Sequence, residues 1–526
     1  MTHDSHRAPG TRDRTLPATT ILAAGLGMGF AGDHLLRTND GPGLGFSLLF
    51  LGLAVSAWLV TRSGESPLGR EGSTWLIVGV LCGAALIGRG SPLLRVGTFF
   101  AAGTAFALPA LRAGRDWVRK SGALEVIESL VGAGLYSVLG SLRLIHPDNW
   151  GDVGTDTSRG TARSVARAAV GGMLLALVPL VVFGALFMSA DEVFATIVSD
   201  FVQVDLETFA SHALVIGILS WLACGYLVGI SSGTRLDEVH RLAPARPTLG
   251  IAQVATALGL VDLLFGAFVI IQFRYLFGGA SWVELTPDLT YAAYAREGFF
   301  QLVVAVALAI PWLLGTHALL RDRSATVRGV FGGFAGVHVL LLLAIVASAI
   351  QRMFAYQTAY GLTEDRVFGT AILLWLAVLV LWFAATVLTG RRERFAFGAL
   401  VTAYVLVGAL HAIDPVGMVA RHNLDRIEEL GGIDAGYLAS LGSDAAPLLL
   451  ARLDELPPEA QCSVATRLLL RWGADRPADW RAFNISEQRA REAVERDLAV
   501  LQSVAREADQ GGCDGAASRT PASPTF

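Results

Sequence analysis

The sequence predicts an all-α fold: a polytopic transmembrane helical bundle with a small C-terminal helical soluble module. Three observations predict it. Of 526 residues, 53% are hydrophobic and 16% are charged, where a soluble chain carries about 25% charged residues. Mean hydropathy is +0.53. Apolar runs of spanning length recur between residues 17 and 413. A run of about 20 such residues crosses a bilayer as a helix, because only a helix satisfies its own backbone inside hydrocarbon. This composition excludes an ordinary water-soluble enzyme and a disordered chain. A formal net charge of -4 creates no field that would draw a nucleic acid, so the bilayer is the expected partner. Four cysteines are too few for a disulfide scaffold or a zinc-ribbon array.

The runs place spans at 17–36, 43–61, 74–90, 93–111, 167–188, 209–231, 249–272, 298–317, 329–350, 367–389 and 396–413, about eleven in all. The stretch 121–145 is a doubtful twelfth. It carries Glu125 and Glu128 one turn apart, and crossing would split the arginines of 112–167 between the two sides. It is therefore expected to lie on the membrane surface as an amphipathic helix.

Orientation follows from arginine, because short cytoplasmic loops collect basic residues. Arg7, Arg12 and Arg14 precede the first span, so the N-terminus is expected inside. No A-x-A-like cleavage site precedes a mature domain, so that span is expected to be retained. Loop 189–207 holds five acids and no basic residue and is expected outside. Arg235, Arg241, Arg246, Arg321, Arg323, Arg328, Arg391, Arg392 and Arg394 mark inner loops. The last span then delivers residue 414 to the outside. The organisation read from this is a cytoplasmic polar stretch 1–16, a four-span unit 17–111, a basic cytoplasmic segment 112–166, a seven-span core 167–414, an extracytoplasmic helical module 415–510 and a disordered tail 511–526. The expected location is a cell membrane, crossed many times.

Within the module, Asp434 to Leu441 reads as a short helix, and Ser443 or Asp444 as the cap of the next. Cys462 to Trp472 and Asn484 to Ala508 follow as further helices. Cys462 and Cys513 form a candidate disulfide if the module faces an oxidising compartment.

Candidate chemistry begins with Asp262, near the middle of span 249–272. A carboxylate at that depth is costly unless it is neutral, paired or wet, and such acids mark proton and ion paths. His338, in the middle of span 329–350, is its candidate partner. Pro179 and Pro311 lie inside spans and can kink them. His212, His317, His338 and His411 sit in different spans at different depths, so neither a metal site nor a cofactor is expected. H-E-x-x-H, C-x-x-C and phosphate-loop motifs are absent.

A second candidate is an extracytoplasmic polar cluster. Its members are Arg274, Arg296, Glu297, Arg352, Glu364, Asp365, Arg366, Asp414, Arg421 and Asn423. All lie at span ends that the arginine count places outside. Arginine forks pair well with carboxylates. The cluster therefore reads either as an anion or substrate site, or as a set of ion pairs locking loops to the module. The second reading is slightly favoured.

The strings QFRYLFGG, TYAAYAREGFFQL, AYGLTEDR, DPVGMVARHNLDR and IDAGYLASLGSDAAPLL resemble a bacterial polytopic membrane family, domain of unknown function 4173. The resemblance runs from about Arg167 to residue 450. It implies a bacterial multi-pass membrane protein and supplies no reaction, ligand or catalytic residue. One departure is that Asp414-Pro415 continues with Val416, where the family pattern has an acid. Transport or translocation of a small solute is the leading reading. The alternatives are an envelope sensor or scaffold binding a protein or small-molecule partner, and a membrane enzyme acting on a lipid-linked substrate. An enzyme is the less favoured class.

Overall fold

The computed structural model describes residues 18–38, 41–63, 68–110, 122–145, 206–232, 248–277, 299–321, 324–427, 434–473 and 479–507, with Arg119, Phe187 and Asp191 as isolated positions. Among these residues the chain is helical, with one isolated bridge pairing Leu249 with Leu320. The helices are α1 (Ala18–Leu36), α2 (Leu44–Ser63), α3 (Arg70–Ala85), α4 (Pro92–Ala107), α5 (Ala123–Leu139), α6 (Leu206–Ser232), α7 (Ile251–Phe277), α8 (Phe299–Leu319), α9 (Ala325–Tyr360), α10 (Glu364–Phe383) and α11 (Glu393–Ile413). The module adds α12 (Pro415–Asp425), α13 (Ala435–Ser440), α14 (Ala446–Ala451), α15 (Pro458–Trp472), α16 (Ile485–Arg496) and α17 (Leu498–Glu507).

Seven of these are long and apolar enough to cross a membrane: α2 and α6 through α11. The expectation of about eleven spans is reached only in part. Helices α3 and α4 have 16 residues each, about 24 Å at 1.5 Å per residue, less than the roughly 30 Å hydrocarbon layer. Helix α1 has 19 residues but carries Asp33 in its last turn. The expected span 167–188, with Pro179, lies outside the described residues, as do loop 189–207, the N-terminal stretch 1–16 and the tail 511–526.

Helix α1 meets α6 at very short range. A Cβ built on Gly29 would lie 2.6 Å from the Ile216 carbonyl oxygen, and one on Gly25 would lie 3.3 Å from Cys224 N. With Gly32 facing Leu219, these glycines form the small-residue seam by which membrane helices associate. A larger apolar core joins α7, α8, α9 and α10 around Leu258, Val306, Leu342 and Phe383. Pro311 lies within α8, and α10 ends in a π turn, Ala384–Leu388.

The doubtful segment 121–145 is α5 followed by a 3-10 turn, Gly140–Ile145. Its beginning packs beside Leu108 and Ala396, at the ends of α4 and α11. Its continuation places Leu144 with Ile21 and Val60, at the ends of α1 and α2. Its main partner is α6: Trp221 Nε1 donates to Val138 O at 2.7 Å, and a Cβ on Gly140 would lie 2.8 Å from Gly225 O. A stripe of Ile127, Val131, Leu135 and Val138 stays exposed.

The module has its own core of Val419, Leu438, Leu449, Val464, Ala490 and Leu501. Asp434 caps α13 by accepting from Tyr437 N at 2.9 Å, as its position suggests. Ser443 and Asp444 do not cap α14, whose N-cap is Ala445 with no side-chain bond. The expected helix 484–508 is two helices, α16 and α17, meeting at Asp497.

Candidate functional site

Besides an Asp33–Arg37–His212 group joining α1 to α6, polar side chains concentrate at two places. The first is inside the bundle. Helix α7 presents Asp262 to α9, and His338 Nδ1 meets Asp262 Oδ1 at 2.6 Å. His338 is 0% exposed and Asp262 8%. The Phe265 ring packs on the imidazole, with centroids 4.8 Å apart. The outward atoms of the pair, Asp262 Oδ2 and His338 Nε2, have no hydrogen-bond partner among the described residues. A bond between Nδ1–H and the carboxylate leaves Nε2 with a lone pair. In that state the pair carries one negative charge. One added proton, on Nε2 or Oδ2, makes it neutral, the form a membrane interior favours.

The second place is where the module meets the membrane helices. Arg89 follows α3 and reaches three partners. Its Nε donates to the His411 carbonyl at 3.0 Å. Its Nη1 lies 3.0 Å from Asp414 Oδ2 and 3.6 Å from Asp444 Oδ1. Asp444 also accepts from Gly90 N at 2.7 Å. This bond across the interface explains why Asp444 caps no helix.

Asp414 does double duty in the backbone. It ends α11 and caps α12, accepting from Gly417 N at 3.1 Å. Its φ is 58°, a left-handed conformation that Asp tolerates better than most residues. Pro415 follows at the first helical position, where a missing N–H costs nothing. Burial pushes the Asp414 carboxyl above the usual carboxylate range, opposed by the Gly417 hydrogen bond, with Asp444 raising it further and Arg89 opposing.

Around this centre, further bonds tie the module to early helices. Asn484 caps α16 and donates to Leu86 O at 2.9 Å and Arg89 O at 3.1 Å. Ile485 N donates to Ile87 O at 2.8 Å, and Leu44 N to Phe483 O at 3.0 Å. Asn423 clamps the α9–α10 turn, accepting from Leu362 N at 2.9 Å and donating to Leu362 O at 2.7 Å. Tyr437 accepts from Glu364 N at 2.8 Å, and burial pushes its phenol up to about 12. Glu364 accepts from the Ser91 hydroxyl.

The ten residues of the expected outer cluster therefore separate. Glu364, Asp414 and Asn423 are in the module interface. Arg366 lies over the Tyr356 ring at 3.9 Å and donates to the Tyr360 carbonyl at 3.1 Å, closing the end of α9. Arg352 donates to Gln272, linking α9 to α7. Asp365 lies in the first turn of α10, and Arg421 is exposed on α12. Arg274 belongs to α7, but its side chain, together with Arg296 and Glu297, lies outside the described residues. Cys82 and Cys224 are free thiols. Cys462 is disulfide-bonded, and its partner lies outside the described residues, where Cys513 is located.

Sequence reading missed Arg89, Asp444, Ser91, Tyr437 and Asn484. A signal for Arg89 did exist: it ends an apolar run on the side expected to be outside, where arginine is disfavoured.

A helical bundle with seven helices able to span a membrane, capped by a packed helical module, defines a membrane-embedded class of protein. Within it, the chain belongs to the family described as Domain of unknown function (DUF4153), whose model matches residues 76–451. This corrects the resemblance to domain of unknown function 4173. The matched region contains Asp262, His338, Arg89, Asp414 and Asp444, and stops before Asn484. No curated protein and no solved structure matches the chain.

Proposed function

We propose that the protein moves a small solute across the membrane and that the Asp262–His338 pair couples this movement to protons. The observation that carries this reading is the buried pair at 2.6 Å whose two outward atoms have no hydrogen-bond partner among the described residues. Here each one offers a position for a proton, or for a hydrogen bond from a solute. Loss and gain of one proton changes the charge of the pair between minus one and zero, a change sensitive to the electric field across the membrane.

The test is proton flux in proteoliposomes holding a trapped pH dye, driven by a potassium–valinomycin potential. The expected result is a flux above that of protein-free vesicles, lost in Asp262→Asn and reduced in His338→Gln. Equal flux in the wild type and both variants would remove the pair from any coupling role.

The module is proposed to face the extracytoplasmic side. One feature supports this: Cys462 is disulfide-bonded, and disulfides persist in oxidising compartments. A second reading, an envelope scaffold, draws on the same module, which covers the ends of α2, α3, α4, α9 and α11 and leaves its far side available to a partner.

A further inference from the structure

An apolar cavity of about 810 Å³ opens between α2 and α4, with α6 behind it and α5 beyond. Along α4 its wall runs from Val96 to Ala107, roughly 16 Å at 1.5 Å per residue. That is close to half of a hydrocarbon layer of about 30 Å, the depth of one leaflet. Its polar wall residues Thr104 and Ser137 already donate to Ala101 O and Ala133 O, at 2.9 and 3.0 Å. Tyr226 Oη, also in the wall, is buried with no hydrogen-bond partner among the described residues, so the groove offers hydrocarbon contact and one phenol hydroxyl.

A second cavity, of about 410 Å³, lies at the seam between the module and the start of α4. Arg95, Arg471 and Arg491 line it, together with Glu487 and Asp479. Asp479 is taken up by a two-pronged bond from Arg481, at 2.7 to 3.0 Å. Glu487 accepts from Trp472 Nε1 at 2.7 Å and lies 3.8 Å from Arg471. Among the described residues, three guanidinium groups and the Glu487 carboxylate line this cavity beside the Asp479–Arg481 pair. Trp480 and Phe483 stand on the rim, 52% and 42% exposed, as aromatic residues do at headgroup depth.

The two cavities line up. Arg95 and Phe99 are four residues apart and share a face of α4; the first lines the polar cavity and the second the groove. Pro42 and Phe46 repeat this at the start of α2. The cationic cavity therefore sits about one helical turn beyond the mouth of the apolar one. From this alignment we infer a binding site for one anionic phospholipid, its phosphate held by Arg95, Arg471 and Arg491 and one acyl chain laid in the groove between α2 and α4.

The site stands apart from the Asp262–His338 pair, so either reading can fail without the other. The test is native mass spectrometry of the delipidated full chain in detergent, titrated separately with dioleoyl phosphatidylglycerol, dioleoyl phosphatidylcholine and glycerol 3-phosphate. One phosphatidylglycerol is expected to bind at least tenfold more tightly than phosphatidylcholine, and glycerol 3-phosphate not at all at the concentration that saturates the lipid. Arg491→Gln should weaken phosphatidylglycerol at least fivefold and leave phosphatidylcholine unchanged. Gly103→Phe should weaken both lipids, because a Cβ there meets no atom within 4 Å and the ring fills the groove without moving a helix. Equal retention of the two lipids, or no effect of Arg491→Gln, overturns the headgroup assignment. Binding of glycerol 3-phosphate as tight as that of the lipid shows a free-phosphate site and overturns the lipid.

Discussion

Arg89→Ala is expected to loosen the module from the membrane helices. The change removes the 3.0 Å bond to His411 O and the cation beside Asp414 and Asp444. Breaking a fully buried ion pair by removing one partner costs about 3–5 kcal/mol, and a fully exposed pair is worth about 0–1. The Arg89 side chain is 24% exposed, that of Asp414 16% and that of Asp444 2%. The loss therefore falls between these limits, at about 2–3 kcal/mol. That corresponds to roughly 30- to 150-fold more undocked module.

Hydrogen–deuterium exchange at the Ile485 amide reads this population directly, because that amide bonds Ile87 O across the seam. Exchange there should accelerate by that factor, while amides around Leu342 in α9 stay unchanged. Adding Asp414→Asn should recover about 1 kcal/mol, since Asn still caps Gly417 and no longer needs a cation. The wild type should also respond to pH. Asp414 holds its proton to higher pH when docked than when unfolded, so the docked state binds more protons just above the usual carboxylate range. Docking then weakens as pH rises through that interval and strengthens as it falls, once exchange is corrected for its intrinsic pH dependence. Less than threefold acceleration in Arg89→Ala would refute Arg89 as the centre of the seam.

Other expectations are equally direct. Asn423→Ala leaves the half-buried N–H and C=O of Leu362 without their Asn423 bonds, and should cost about 2 kcal/mol, the low end of 1–3 for each of the two groups, seen as a fall in melting temperature and faster exchange at Leu362. Gly225→Val should abolish the folded, monodisperse peak in detergent, because a Cβ at Gly225 would lie 2.2 Å from Ser137 O; Gly266→Ala, where nothing lies within 4 Å, should leave it intact. On spheroplasts, a membrane-impermeant maleimide should label the module cysteines only after reduction. Labelling that requires permeabilised membranes would place the module on the cytoplasmic side.

The parts of this fold legible in the sequence are those governed by local physics. Helices α2 and α6 through α11 announce themselves by hydropathy, since the bilayer imposes length and apolarity on each span separately. Pairing Asp262 with His338 was also legible, because a carboxylate at that depth needs a partner and few ionisable residues share it. The spans expected at 74–90 and 93–111 correspond to α3 and to α4 with its 3-10 extension Leu108–Ala110, each α-helix having 16 residues. The module interface was only half visible. Asp414 and Asn423 stood out as polar residues beside Pro415, but Arg89 looks like a loop residue until Asp444, 355 positions later, is brought to it. No spacing rule reaches across that separation. Asp444 misled for the same reason: it reads as a helix cap, and instead bonds Gly90 N.

The docking of α16 on the turns before α2 and after α3 carries a consequence for biogenesis. Leu44 and Ile87 leave the ribosome well before Phe483 and Ile485. Until those later residues are made, the backbone groups at the early turns have no module to bond. Contacts so distant in sequence form late, so insertion of the spans must precede closure of the seam. A chain that threads one span the wrong way delivers its C-terminal part to the opposite side of the bilayer from Ile87, and the seam cannot close.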